Sequence, residues 1–354
     1  MKKRLSRYIG LLLFGVALLF RFFFWIDPDL FDSFYLSIVF PFIRKIQFFV
    51  GGVLPFSGYY LLIILALLWP VVRFPRKQSL KNWSRFGLRL LNLLGGTAAF
   101  FLILWGFNYV GPELGERIGL ETEKDKYDVV KLYFYTMNQA MEQRKLIPLP
   151  NDTASVEDLP IEIPQEILEE KVKKVLEPFG YPISSGIVLR KVKPPGALRR
   201  LGILGIYNPF TGEANMDASS GVLSGSFTAA HEMAHALGIT REAEANFVAY
   251  LALIEAEDPI LSYSAAYALW RYVAREVNRT IEAEDRELIA AAIPLELQID
   301  RAAIWARAGQ YRPYFPQVSE KMNDQYLKLQ GVEEGTEDYN AFVSYYLKYF
   351  KPSI

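Results

Sequence analysis

The sequence predicts a mostly helical α+β protein in two parts. Residues 1–110 form a membrane region of three apolar helices, and residues 111–354 form one domain with a small β-sheet beside a histidine-bearing helix. Three observations carry this reading. Apolar residues crowd into the first 110 positions. The β texture of Tyr181 to Asp217 interrupts otherwise helical periodicity. The only two histidines of the chain stand four residues apart, in His231-Glu232-Met233-Ala234-His235.

Composition sets the outer limits. Thirty-nine basic and 39 acidic residues cancel, so a nucleic-acid partner has no electrostatic support. Cysteine is absent, which removes disulfides, thiolate ligands and thiol nucleophiles. Any bound metal must therefore be held by imidazole and carboxylate.

The first apolar segment runs from Tyr8 to Ile26, long enough to span a bilayer. Arg21 can snorkel at its outer end, and Phe22 to Trp25 form an aromatic belt. No small-residue cleavage site follows, so the segment reads as an anchor. Residues 57–72 and 88–109 are the second and third expected spans. Between spans one and two, residues 34–50 are apolar but carry Pro41, Arg44 and Lys45. Charge at that depth is costly in hydrocarbon, so an interfacial helix is expected there.

Charge asymmetry orients the spans. Lys2, Lys3, Arg4 and Arg7 precede the first one. Arg73, Arg76, Lys77, Lys81, Arg85 and Arg89 sit between the second and third with no acid among them. Both groups belong in the cytoplasm by the positive-inside rule. Three crossings satisfy this and place residues 111–354 outside the cytoplasm; four would expose the basic loop. The chain is thus expected to be a multi-pass cell-membrane protein with a cytoplasmic N-terminus and the bilayer as one partner.

Within the second part, residues 126–144 have helical apolar spacing. A Pro-rich stretch, Ile147 to Glu166, reads as a loop, and Glu166 to Leu176 as a helix. Gly186 to Val192 and Leu201 to Asp217 read as strands, with turns at Asn208-Pro209 and Thr211-Gly212. A strand ahead of the histidine helix could accept an extended peptide as an added strand. Ser226 and Thr228 are candidate caps for a helix over Ala229–Leu237, and Gly238 is its natural stop. Thr240 can cap the next helix. Residues 318–350 read as aromatic helices packing on the domain.

On a helix, positions i and i+4 share a face, so His231 and His235 can reach one metal ion. Glu232 lies about 100° round the helix, where it can act as general base on a water at that ion. A catalytic zinc takes three protein ligands and keeps one open position. With no third histidine, the third ligand must be a carboxylate. The stretch HEMAHALGIT begins like HExxHxxGxxH, but Arg241 occupies the third-histidine position and cannot ligate. Glu242-Ala243-Glu244-Ala245-Asn246 resembles the ExxA(D/N) element of gluzincin peptidases. Glu242 and Asn246 share a face, which makes Glu242 the ligand and Asn246 the residue orienting a histidine. Glu244 competes for the ligand role. Tyr207, Tyr263 and Arg241 are candidates to stabilise an oxyanion, with Tyr263 assigned that role.

The motifs Phe210 to Asn215 (FTGEAN), Glu244 to Tyr250 (EANFVAY) and Ser262 to Tyr267 (SYSAAY), together with HExxHxxG, resemble the bacterial membrane family DUF3810. The helix after HExxH is also similar to that of ImmA/IrrE-type peptidases, which lack a membrane region. The DUF3810 resemblance implies a zincin-like domain with a metal site and supplies no substrate; the Zn2+ cofactor and the protein or peptide substrate are expected from the HExxH pattern. The expected function is a membrane-anchored zinc metallopeptidase; a non-catalytic zinc-binding scaffold or sensor is the alternative. An intramembrane protease is disfavoured, because Gly221 to Gly238 is too polar to span a bilayer.

Overall fold

The computed structural model describes residues 8–75, 79–120, 127–183, 185–330 and 338–351. The basic residues Lys2, Lys3, Arg4, Arg7, Arg76 and Lys77, on which the orientation argument draws, lie outside that set. Helices dominate, and one three-stranded sheet is present among the described residues. The chain divides into two units. One comprises Met1–Pro112, Ser184–Val188 and Asn208–Glu213; the other holds Glu113–Ile183, Leu189–Tyr207 and Ala214–Ile354. Two short segments of the sheet region group with the apolar helices.

In the first unit, α1 (Ile9–Ile26), α2 (Pro28–Val53), α3 (Gly58–Arg73) and α4 (Leu80–Leu104) follow one another. Three of them are long and apolar enough to cross a membrane: α1, α2 and α4. This trio differs from the expected one. The segment expected as an interfacial helix is part of the 26-residue α2, π-helical over Phe31–Val39. The expected second span, α3, has only 16 residues. Arg44 explains why α2 tolerates its charge: the guanidinium is buried and donates to the Gly212 carbonyl (3.0 Å) and to Gln47 Oε1 (2.9 Å). Gln47 in turn donates to the Pro209 carbonyl, and Glu213 accepts from the Gly58 N–H.

Helices α1 and α4 cross at small residues, which lets their backbones approach closely. Asn92 Oδ1 accepts the Gly10 N–H at 2.8 Å. A Cβ on Gly10 would lie 2.0 Å from the Asn92 carbonyl oxygen and 2.9 Å from the Gly96 nitrogen. Both obstacles are backbone, so neither can swing away. Gly10→Ala is expected to destabilise the unit by about 1–3 kcal/mol, read as a lower melting temperature of the full chain in detergent. An unchanged melting temperature would mean that this crossing is loose.

The second unit is built on α5 (Val129–Lys145), α6 (Gln165–Leu176), α7 (Val222–Ala236), α8 (Glu242–Ile254) and α9 (Pro259–Thr280). Leu132, Met137 and Ala140 of α5 are buried, as are Trp270, Val273 and Val277 of α9, and these two helices pack on one another. The helices α10 (Ala283–Ala291), α11 (Leu295–Gly309), α12 (Pro316–Gln330) and α13 (Asp338–Phe350) follow. Buried Phe342, Val343 and Tyr346 of α13 confirm that its aromatic stripe is core.

The strands are β1 (Val188–Val192), β2 (Gly205–Asn208) and β3 (Glu213–Asp217), in the order β1-β3-β2. β3 is central and wholly buried, and β2 forms an edge. α7 starts at Val222, seven residues earlier than the sequence suggests, because its cap comes from far along the chain. Buried Glu157 accepts from the Gly221 N–H (3.0 Å), the Ser224 N–H (2.8 Å) and the Ser224 hydroxyl (2.6 Å). A carboxylate at a helix N-terminus satisfies orphan donors and suits the helix dipole. Ser226 and Thr228, the expected caps, sit inside the helix and donate back to the carbonyls of Val222 and Ser224. Nor does Thr240 cap α8; the N-cap is Arg241, without a side-chain bond.

Candidate metal centre

α7 ends where expected. Gly238 has φ +106°, a left-handed backbone that favours glycine. The turn brings the carbonyl of Ile239 back onto His235, whose Nδ1–H donates to it at 2.7 Å. His231 Nδ1–H donates to Asn246 Oδ1 at 3.0 Å, so Asn246 orients a histidine as its i+4 relation to Glu242 suggests. With both Nδ1 atoms donating outward, the neutral rings turn their Nε2 lone pairs to one point.

Glu242, in the first turn of α8, turns a carboxylate oxygen to that same point. His231 Nε2 lies 3.1 Å from Glu242 Oε2, His235 Nε2 lies 3.7 Å from it, and the two Nε2 atoms are 3.1 Å apart. Three electron-rich atoms this close repel one another unless a cation lies among them. Donors at about 2.0–2.1 Å around a tetrahedral ion stand about 3.3 Å from one another, and the observed triangle has that size. The donor set of two imidazoles and one carboxylate suits zinc. Among the described residues this group of three is the one that could hold a metal ion, and no fourth acidic, histidine or cysteine ligand closes it.

The buried donors act on one another electrostatically. Burial works against charge on His235, yet neighbouring Glu242 raises its pKa to about 9. Burial would also raise Glu242, but the two histidines hold it well below the usual carboxylate range. Glu232 behaves differently. Burial pushes its carboxyl up to about 7, against the pull of both histidines and a backbone N–H bond from Tyr207 of β2. A carboxyl poised near neutrality can accept a proton and release it again. Gly205 of β2 also lies against Glu232, so one edge strand positions the carboxyl.

Glu244, the competing ligand, faces elsewhere. Its Oε1 accepts the Leu114 N–H at 2.6 Å and the Tyr345 hydroxyl at 3.0 Å. Burial raises its pKa from an ordinary 4.5 to about 7, with the Leu114 N–H opposing. A raised carboxyl binds its proton more tightly in the folded chain. Its stabilisation is therefore full below about pH 4.5 and is lost as pH rises through about 7. Glu244→Gln keeps an acceptor oxygen and is expected to flatten that decline in a series of melting temperatures against pH, while metal content stays at the wild-type level. Metal loss in this variant would return Glu244 to the ligand role.

The oxyanion assignment changes. Tyr263 is fully buried and its hydroxyl donates to Asp300 Oδ2 at 2.7 Å. Asp300 also takes Arg144 Nε (2.6 Å), the Ser155 hydroxyl (2.8 Å) and the Val156 N–H (2.7 Å). The tyrosine is thus committed to a buried polar cluster that ties α5, α9 and α11 together. Arg241 pairs with Glu113 at 2.6 Å, and Tyr207 is buried on β2. Tyr272 of α9, which the sequence reading did not single out, comes to the metal-site residues instead. Its half-buried side chain lies by the Asn246 amide and within electrostatic reach of Glu242. Burial raises its pKa, so the hydroxyl keeps its proton at neutral pH. Its place in the sequence, one tyrosine among 21, gave no signal; only the packing of α8 on α9 selects it.

Comparison with known proteins places the chain in a family without a known activity. The model of DUF3810, a protein family of unknown function, matches residues 35–347, and the chain belongs to that family. No curated protein and no solved structure matches it.

Proposed function

We propose that this DUF3810 member is a membrane-anchored zinc peptidase that hydrolyses peptide bonds in an extracytoplasmic, zincin-like domain. The observation that carries the reading is the three-donor cluster, which no fourth acidic, histidine or cysteine ligand completes among the described residues, with the Glu232 carboxyl beside it raised to about 7. A structural zinc site is closed by a fourth protein ligand and has no use for a base.

His231, His235 and Glu242 would hold the ion, and Asn246 and the Ile239 carbonyl would fix the two rings. The ion supplies Lewis acidity, lowering the pKa of a water and polarising a carbonyl. Glu232 takes the proton of the attacking water and hands it to the leaving amine. β2, an edge of the sheet, aligns an extended peptide beside Glu232. The Tyr272 hydroxyl donates to the oxygen on which charge develops.

The positive-inside argument holds for this reading whichever of α2 and α3 crosses. α1 leads out, one of the two leads back to the basic segment that includes Arg73, Lys81, Arg85 and Arg89, and α4 leads out again. Both routes put the domain outside the cytoplasm.

Glu232→Gln tests the chemistry. Full-length protein in detergent is incubated with a peptide library made from a digested proteome, and new termini are read by mass spectrometry. Wild type is expected to cut a subset of peptides, and the variant to keep its zinc while losing about 10²–10⁴-fold in rate. Equal cleavage in both, or none in either, would leave a zinc-binding scaffold or sensor.

A further inference from the structure

Two loops of the second unit meet at the end of α11. Tyr311, just past that helix, packs on the Gly196 backbone; a Cβ there would stand 2.0 Å from the Tyr311 ring. The Tyr314 N–H donates to the Arg200 carbonyl at 3.0 Å. The Arg200 guanidinium lies over both rings, 5.1 Å from the centre of Tyr311 and 5.9 Å from that of Tyr314. These contacts hold the two loops together, yet they leave large apolar groups in solvent. Tyr314 is 65% exposed, Phe315 69% and Leu201, next to Arg200, 56%.

The patch is also basic. Residues 193–202 and 301–319, which build it, contain no acid. Two of their arginines are matched from elsewhere. Arg307 pairs with Asp158 at 2.5 Å, and Arg199 feels Asp217 and Glu157. Arg200 and Arg312 make no ion pair among the described residues. Rings and aliphatic side chains beside such arginines suit the boundary between hydrocarbon and headgroups, where the guanidinium fork meets phosphate. The chain keeps that partner at hand, because α1, α2 and α4 are long and apolar enough to cross a membrane. Leu288 of α10 shows the contrast. It is 72% exposed, but Glu282, Glu284, Asp285 and Glu287 precede it, a setting that an anionic surface repels.

We propose that Arg200, Leu201, Arg312, Tyr314 and Phe315 form a peripheral contact with the bilayer, seated on the phosphodiester headgroups of anionic lipid. The contact rests on the membrane-spanning reading of the first unit and is independent of the peptide chemistry.

The chain has no cysteine, so one introduced thiol reports on one place. Full-length Gln317→Cys, exposed beside the patch, carries a nitroxide label in nanodiscs. These are made of phosphatidylcholine alone, or of phosphatidylcholine with an equal share of phosphatidylglycerol. Leu288→Cys and, on α1, Val16→Cys are labelled in the same way. Oxygen, which concentrates in lipid, and a water-soluble nickel complex then compete to relax each label. In the anionic nanodiscs the label at 317 should favour oxygen, as the label at 16 does, while the label at 288 favours nickel. Arg200→Gln and Arg312→Gln should each lower the ratio of seated to free label at 317 by about fivefold. Raising ionic strength from about 0.05 to about 0.5 M should lower it too. A label at 317 as open to nickel as that at 288, with the label at 16 in lipid, would overturn the contact and leave the spans intact. Equal seating in both nanodiscs, unmoved by either arginine substitution, would overturn the role of anionic headgroups. Spin–spin broadening at 317 that disappears on dilution with unlabelled chain would give the patch to a second copy instead. A label at 16 open to nickel would sink the membrane reading, and the peripheral contact with it.

Discussion

Replacing Glu242 or His235 by alanine is expected to strip the metal. Purified wild type should carry about one zinc per chain, measured by elemental analysis, and both variants should carry close to none. The argument is geometric. The three donor atoms form a triangle with 3.1, 3.1 and 3.7 Å edges, so each removal leaves two protein donors, too few to hold a catalytic ion firmly. Asn246→Ala grades the effect. It keeps all three donors but frees the His231 ring, and loss of such an outer partner costs about 10–100-fold in metal affinity. The expected order of affinity is therefore wild type, then Asn246→Ala, then the two ligand variants. Zinc bound as tightly in Glu242→Ala as in wild type would remove the carboxylate from the site. Wild type that takes up no zinc even when it is supplied would remove the site altogether.

The site divides into parts that local spacing encodes and parts that it does not. His231, Glu232 and His235 lie within one helical turn and a half, so helix geometry alone brings them together. Glu242 and Asn246 are likewise an i, i+4 pair, and Gly238 marks the turn that folds their helix back. All these relations are short-range, and all could be read before the fold. Tyr263 could not be placed that way. What occupies its hydroxyl is Asp300 of α11, a helix that the sequence reading did not assign. The start of α7 was misplaced for a similar reason, since its cap is Glu157, 64 residues before the Gly221 N–H that it accepts. Tyr272 follows the same pattern. Its link to Asn246 depends on how α8 and α9 pack, and its own neighbours in sequence say nothing about that. In the first unit, hydropathy located every apolar helix. It could not foresee that Arg44 would find the Gly212 carbonyl, 168 residues away, and so make a long α2 tolerable.

Gly205→Ala tests whether the edge strand sets the position of the base. A Cβ on Gly205 would stand 2.5 Å from Glu232 Oε1, 2.7 Å from Glu232 Cγ and 2.7 Å from Thr228 Cγ2. Every one of these is below van der Waals contact, and two belong to the residue assigned as general base. β2 has little freedom to withdraw, because it is joined to the buried β3 by a four-residue turn. α7 is held at its start by Glu157, so the part that must give is the Glu232 side chain. Misplacing a catalytic group by about 1 Å costs on the order of 10² in rate, and a loss of that size is expected in kcat for peptides cut from the library. The metal donors lie on other faces of α7 and on α8, so zinc content should hold. Removing the base altogether gives the lower limit. Gly205→Ala should fall between wild type and Glu232→Gln, and adding Gly205→Ala to Glu232→Gln should cost little more, because both act through one carboxyl. Wild-type kcat in Gly205→Ala would show that β2 yields to the new methyl group, and a further large loss in the double variant would show that Gly205 serves the substrate rather than Glu232.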